Sequence, residues 1–296
     1  MVSIVIPVHN RKELLLRAVG SVFEQTFREW ELIVVDDGST DGTRQLMRGI
    51  EGGRVKCLFQ EHSGVSCARN LGISAASYPW IAFLDSDDYW LPGKLQTQLQ
   101  ALQENPQYEI VHTDEIWIRK GRRVNPRKIH RKYGGWIYPH CLPRCIVSPS
   151  SVLLHRRVLE DRGGFDESFP VCEDYELWLR LFSQRPVCLV PDALLVKTGG
   201  HSDQLSRSRW GMDRYRVKAL LKMVESESLT PLQKLWTAEE IVTKAAVLAQ
   251  GAAKRRNVER ASGYQDIVRR WSRVAEQLRE ALVLGQWGRN QSKGAK

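Results

Sequence analysis

Four short apolar runs constrain this chain more than any other feature. They are VSIVIPV (2–8), ELIVVD (31–36), VKCLFQ (55–60) and WIAFLD (80–85). Between them lie segments whose apolar residues recur at helical spacing. Leu15, Ala18, Val19, Val22 and Phe23 follow the first run, and SGVSCARNLGISAA (63–76) precedes the fourth. Asn10 with Glu13 predicts a capping-box start for the first helix, and a short helix is expected at about 40–49. Strands alternating with helices at such short intervals predict an α/β fold, a mostly parallel sheet flanked by helices. In such sheets ligands bind beyond the carboxyl ends of the strands. That rule puts Pro7–Asn10, Asp36–Ser39 and Asp85–Asp88 on one rim.

The fourth run ends in an electrostatic problem. IAFLDSDDYW (81–90) drives four apolar residues straight into Asp85, Asp87 and Asp88. Burying one such carboxylate unpaired costs on the order of several kcal/mol. Asp85 and Asp87, two residues apart in a turn, can present oxygens to one hard cation, Mg²⁺ or Mn²⁺. Capping of the following helix is the structural alternative, but it needs one acid rather than three. Asp88 is assigned a cap or supporting role. Asp36 and Asp37, beside Gly38, can accept from a base N–H or a ribose hydroxyl. Arg69 can pair with phosphate or with an acid of the same rim, and both remain open. Glu173 and Asp174 open an amphipathic helix, where the dipole alone would favour them; one of them could instead serve as a general base. Spacing alone gives His201 no role.

Further along, a helix to about 105 follows Pro92, and 109–125 reads as a strand and hairpin turning at Gly121. Residues 126–146 read as a long loop of the kind that binds substrates. Strand, helix and glycine turn fill 150–168, with short strands near 187–190 and 194–198. From about 207 the composition changes. Thr230-Pro231-Leu232-Gln233 caps a helix whose face carries Leu235, Ala238, Ile241, Val242, Ala245 and Leu248. A second helix, about 258–284, carries Ile267, Trp271, Val274 and Leu278. The expected division is a catalytic domain 1–206, a helical hairpin 207–284 and a disordered tail 285–296.

A formal net charge of +10 and a pI near 9.4 favour polyanionic partners. Much of the charge lies in RKGRRVNPRKIHRK (119–132) and in the C-terminal third. No aromatic-plus-basic binding signature accompanies it, which disfavours nucleic acid. No apolar run is long enough to span a membrane. The first residues read as a strand rather than a signal peptide, and six cysteines lack a C-x-x-C pair. Free thiols in the cytoplasm are therefore expected. His140, Cys141 and Cys145 could form part of a zinc site but lack an evident fourth ligand.

Six ordered blocks then carry a resemblance. VSIVIPVHN, SVFEQTF with WELIVVDDGSTDGT, GVSCARNLGI, IAFLDSDDYW, GGFDES and EDYELWLRL resemble the successive signatures of family 2 glycosyltransferases of the GT-A fold, over roughly 1–206. The resemblance implies inverting transfer of a sugar from a nucleotide diphosphate donor, usually a UDP-sugar, to an acceptor hydroxyl, with Mg²⁺ or Mn²⁺. It implies that Pro7, Val8 and Asp37 line the nucleoside pocket with Asp36 close by, and that Asn10, Arg69 and Ser86 belong to the nucleotide-sugar site. Asp85 would touch ribose or diphosphate and Asp87 would ligate the metal, with His201 where some members place a metal or diphosphate contact. Asp174 would be the base, with Glu173 beside it. Peripheral contact with the inner face of a membrane is compatible with the basic patches. A nucleotidyltransferase would need a glycine-rich loop after the first strand, and PVHNRKELL has none. A degenerate, non-catalytic sugar-nucleotide or partner binder is the remaining alternative.

Overall fold

The computed structural model describes residues 1–200, 211–226 and 228–291. The chain divides into two compact units, Met1–Ile137 with Cys145–Arg209, and Tyr138–Arg144 with Trp210–Lys296.

In the first unit the alternation is present: β1 (Val2–Val8), α1 (Lys12–Phe23), β2 (Trp30–Asp37), α2 (Thr43–Ile50), β3 (Val55–Gln60), α3 (Val65–Ala75) and β4 (Trp80–Phe83). β1 is the central strand. Val2–Val8 runs parallel to Trp30–Asp36 on one side, and Val2–Val5 runs parallel to Trp80–Phe83 on the other. Every residue of β1 and β2 is buried, which is why both lack the polar alternation of a one-sided strand. The buried Glu31 is answered by the Ser3 hydroxyl at 2.6 Å and Lys56 Nζ at 2.7 Å. α3 lies tight on β1 because residue 72 is glycine; a Cβ there would meet Val5 Cγ1 at 2.4 Å.

Beyond β4 come β5 (Tyr89–Trp90), α4 (Lys94–Glu104), β6 (Ile110–Arg119) and β7 (Arg122–Val124). The short α5 (Tyr138–Cys141) belongs to the second unit. The chain returns with β8 (Val152–His155), α6 (Arg156–Arg162), α7 (Glu173–Phe182) and β9 (Cys188–Gly199). The sheet order is β3-β2-β1-β4-β8-β6-β9-β5, with β7 on β6. It is parallel from β3 to β4, but β8 runs antiparallel to both β4 and β6, and β5 to β9. The α/β reading therefore holds, with a mixed second half. Antiparallel neighbours need no crossover helix, and the loop-rich 126–151 has none to supply.

The expected capping box at α1 does not form. Asn10 sits in the left-handed region at φ 51°, the N-cap is Arg11, and no side chain of the cap bonds the helix. Asp41 substitutes from the loop after β2, its Oδ2 accepting from Lys12 N at 3.1 Å. Asn10 Oδ1 instead accepts from Thr40 N at 2.7 Å. Asn tolerates this backbone, so it turns the chain toward the loop rather than starting the helix.

The second unit contains α5, α8 (Met212–Glu225), α9 (Pro231–Lys254) and α10 (Val258–Gln291). Thr230 and Gln233 form the expected reciprocal capping box, with proline in the first turn. α9 buries Leu235, Ala238, Ile241, Ala245 and Leu248, and α10 buries Ala261, Trp271 and Ala275. Three features differ from expectation. α8 precedes the hairpin, its buried Val217, Leu220 and Met223 diluted by charged neighbours in the sequence. α5, read as loop, is tied to α9 through the Tyr138 and Thr237 hydroxyls at 2.7 Å. α10 runs on to Gln291, past Gly285 where a disordered tail was expected; one glycine costs a helix only about 1 kcal/mol. Among the described residues no helix is long and apolar enough to cross a membrane.

Candidate active site

The parallel register delivers the carboxyl ends of β1, β2 and β4 to one rim. Leu84 N still donates to Val5 O, so the turn that follows starts at the sheet itself. Within that turn each acid has its own partner. Asp85 Oδ1 accepts from Arg69 Nη2 at 2.7 Å, and Arg69 Nη1 reaches Glu173 Oε1 at 2.8 Å. Arg69 is only 3 % exposed and lies over the Phe165 ring. Asp87 Oδ2 pairs with Arg11 Nη1 at 2.9 Å. The Asp87 carbonyl accepts from Arg17 Nη2 at 2.9 Å and from the Thr198 hydroxyl. Asp88 is buried, accepting from Ser150 Oγ at 2.8 Å and from Thr198 N at 2.9 Å. It braces the turn against β9 and caps no helix. Ser86 is buried within the turn.

The electrostatics follow. Burial alone would raise Asp85, but the Arg69 guanidinium overrides it and holds Asp85 below the usual carboxylate range. Burial raises Asp87 in spite of Arg11, with Asp85 adding to the rise. Burial and the neighbouring Asp87 push Asp88 well up. Burial, then the adjacent Asp174, lift Glu173 to about 7 despite its contact with Arg69. Lys197 of β9 faces the same cluster: burial works against its charge, but Glu115, Asp88, Asp85 and Asp174 together raise it.

The acids after β2 are committed to shaping the rim. Asp36 accepts from Ser39 N at 2.9 Å and pairs with Arg44 at 3.4 Å. Asp37 accepts from Gln60 Nε2 at 2.7 Å, Ser63 N at 2.8 Å and Gly64 N at 2.9 Å. Gly38, at φ 75°, lets this turn touch the next loop, for a Cβ there would lie 2.7 Å from His62 N. Pro7 and Val8 are buried in β1 and close the rim from below. His9 and His62 stack with ring centroids 4.1 Å apart, and with Asp37 they form the one candidate metal-ligand grouping of three among the described residues. Because Asp37 already accepts three hydrogen bonds, the trio reads as a brace. The six cysteines are free, and His140, Cys141 and Cys145 form no such grouping.

Asp174 stands in the first turn of α7, half-buried, on the wall of a cavity of about 270 Å³. Its Oδ1 accepts from Tyr175 N at 2.7 Å, and its Oδ2 lies 3.2 Å from Cys145 Sγ, with the thiol donating. It forms no ion pair within reach among the described residues, whereas Glu173 is turned inward onto Arg69. Trp117, Arg119, His130, Lys132 and Lys197 line the same cavity. Its floor is stiffened by the Glu115–Lys132 pair at 2.9 Å, with Ser148 also donating to Glu115. Burial opposes the Glu115 charge, but Lys132 prevails and takes it down to about 2.

The acid turn fits a hard dication. Among the described residues, Arg69 and Arg11 engage one carboxylate oxygen each of Asp85 and Asp87, and the other two oxygens are what Mg²⁺ or Mn²⁺ takes from protein when water and phosphate complete the shell. His201 lies outside the described residues. Sequence reasoning missed Arg11, Cys145, Glu115, Lys132 and Lys197 at this site. In the sequence Cys145 reads as a possible zinc ligand and Lys132 as part of the basic stretch, and Lys197 is marked only as a lone cation inside the apolar run ALLVKTGG.

Comparison with known proteins gives the following. The family described as "Glycosyl transferase family 2" matches residues 3–161. The chain is 34% identical over 197 residues, 64% of its length and 73% of the relative's, to "UDP-Glc:alpha-D-GlcNAc-diphosphoundecaprenol beta-1,3-glucosyltransferase WfgD" of Escherichia coli. Among solved structures it resembles S. aureus TarS 1-349 in complex with UDP-GlcNAc, at TM-score 0.65 and 16% identity over 91% of each chain. It also resembles the mannosyltransferase PcManGT from Pyrobaculum calidifontis in complex with GDP-Man and Mn²⁺, at TM-score 0.61 and 19% identity, covering 97% of this chain and 87% of that one. At such identities the two structures speak for the fold, which is that of the GT-A glycosyltransferases.

Proposed function

This chain belongs to glycosyl transferase family 2, and from that membership we propose that it moves a sugar from a nucleotide diphosphate donor, a UDP-sugar by preference, to an acceptor hydroxyl with inversion. The observation that carries the reading is the division of labour between neighbouring carboxylates. Glu173 is spent on Arg69, while Asp174 faces the cavity with no ion pair among the described residues.

Asp85 and Asp87 would hold Mg²⁺ or Mn²⁺ against the donor diphosphate. When bound, the cation supplies charge neutralisation at the leaving nucleotide. The acceptor occupies the cavity, and Asp174 Oδ2 takes its hydroxyl proton as that oxygen bonds to the anomeric carbon. The bond from that carbon to the diphosphate breaks on the opposite face, and one displacement with one base inverts the centre, as in inverting hydrolases. Arg69 holds Asp85 and Glu173 in register, so the donor acids and the base-bearing helix share one anchor. The Cys145 thiol fixes the Oδ2 edge of the base.

The name of the Escherichia coli relative describes a UDP-Glc donor and a diphosphoundecaprenol-linked acceptor. It supports a UDP-sugar here and a role in building a cell-surface glycan, with the protein peripheral to the inner face of the membrane.

Calorimetric titration of UDP and GDP, with Mn²⁺ or with EDTA, tests the donor half. Metal-dependent UDP binding that disappears in Asp87→Ala is expected. Preference for GDP moves the donor to a GDP-sugar, and no binding of either nucleotide by the folded protein overturns the reading.

A further inference from the structure

We propose that residues 119–132 form a docking surface for an anionic lipid bilayer. The proposal deepens the transferase reading, since Trp117, Arg119, His130 and Lys132 of this stretch and the strand before it line the cavity assigned to the acceptor.

Charge is the first observation. Arg119, Lys120, Arg122, Arg123, Arg127, Lys128 and Arg131 are all exposed. None forms an ion pair with a described residue, and no Asp or Glu occurs anywhere in 116–159. The second is the hairpin itself. Its β6–β7 register sets Arg119 directly opposite Arg122, with Arg123 opposite Ile118. Like charges directly across a strand pair destabilise it. A hairpin assembled against its own repulsion is best stabilised by an anion from outside the chain. The third observation selects the kind of anion. A large apolar side chain stands in solvent within this basic stretch: Ile129, next to exposed Lys128, is 46 % exposed. An exposed aliphatic side chain set directly beside exposed Lys and Arg suits the headgroup layer, where the apolar group enters the acyl boundary and the cations meet phosphate. A nucleic acid would use the cations but has no apolar layer for Ile129.

Docked this way, the segment brings the cavity to the membrane plane. An acceptor carried on a lipid then reaches Asp174 without leaving the bilayer.

The test uses the full chain in vesicle flotation at about 0.1 M salt, where screening still lets surface charge act. Vesicles of phosphatidylcholine are compared with an equal mixture of phosphatidylcholine and phosphatidylglycerol. Wild type is expected on the anionic vesicles only. Arg122→Glu/Arg123→Glu/Lys128→Glu should lower partitioning by at least about tenfold, given a comparable gain per cation near an anionic surface. Ile129→Ser should lower it severalfold, with the salt dependence retained. UDP binding is measured on the same samples and should be unchanged, which also reports folding. Equal partitioning to both vesicle types, or a charge-reversal variant that floats like wild type, overturns the proposal. So does tight binding to an RNA homopolymer without vesicle binding. Loss of UDP binding in wild type would overturn the transferase reading while leaving the vesicle result to be judged alone.

Discussion

In the turn after β4, Asp85 and Asp87 each face an arginine of the same chain, and Asp88 is held by a serine and a backbone N–H. In 119–132, seven exposed cations face no carboxylate among the described residues. Both stretches are conspicuous clusters of one sign in the sequence, yet the chain treats them differently. Charges that must stay in place while a ligand comes and goes are paired internally. Charges meant for an outside surface are left for that surface to pair. Asp174 belongs to neither group: among the described residues it is an acid at the site with no ion pair, bonded by an N–H and a thiol.

That exception gives the largest expected effect. Asp174→Asn should lower kcat by about 10²–10⁴-fold, the usual contribution of a positioned base. Donor binding should stay intact, measured by calorimetry beside steady-state transfer; an asparagine variant with near-normal turnover would remove Asp174 from the proton path. Next, Arg69→Met strips the partner from the buried Glu173 and the half-buried Asp85 at once. A loss of about 3–5 kcal/mol in urea unfolding is expected, and an unchanged midpoint would mean that the acids rearrange to share other partners. Third comes Glu115, whose folded value near 2 lies below its ordinary 4.5. A depressed carboxyl stabilises the fold above the ordinary value and loses that contribution as pH falls through the folded one. Glu115→Gln should cost about 2–3 kcal/mol at neutral pH. It should also flatten the decline in stability between pH 4.5 and about 2, read by denaturant titration at several pH values. The smallest effect belongs to the unpaired group. Arg122→Glu should change stability by no more than about 0.5 kcal/mol, as at other exposed sites without partners, and any shift should favour the fold by relieving Arg119.

Much of this was legible in the sequence where local pattern carries the information. The four runs became β1 to β4 with their register, and the acid clusters fell on the rim that the strand-end rule names. What stayed hidden depends on long sequence separations. Arg11 meets Asp87 across the α1–β4 interval, and Cys145 meets Asp174 from a loop on the far side of β8 and α6. No spacing rule reaches that far. Asn10 misled because a helix cap and a left-handed turn residue look alike in sequence, and only the position of Asp41 and Thr40 decides between them. The helix α5 was invisible because its burial rests on Thr237 and its neighbours nearly a hundred residues later.

Arg69 carries one more consequence. Its two arms hold Asp85, on the donor side, and Glu173, one residue before the base. Under the proposed roles, a donor that draws on Asp85 would change how Arg69 holds Glu173 at the start of α7. The two substrates are thereby thermodynamically linked through a single side chain, and the linkage is reciprocal. The expected signature is an acceptor affinity that changes when the nucleotide sugar is bound, and a nucleotide affinity that changes by the same factor when the acceptor is bound.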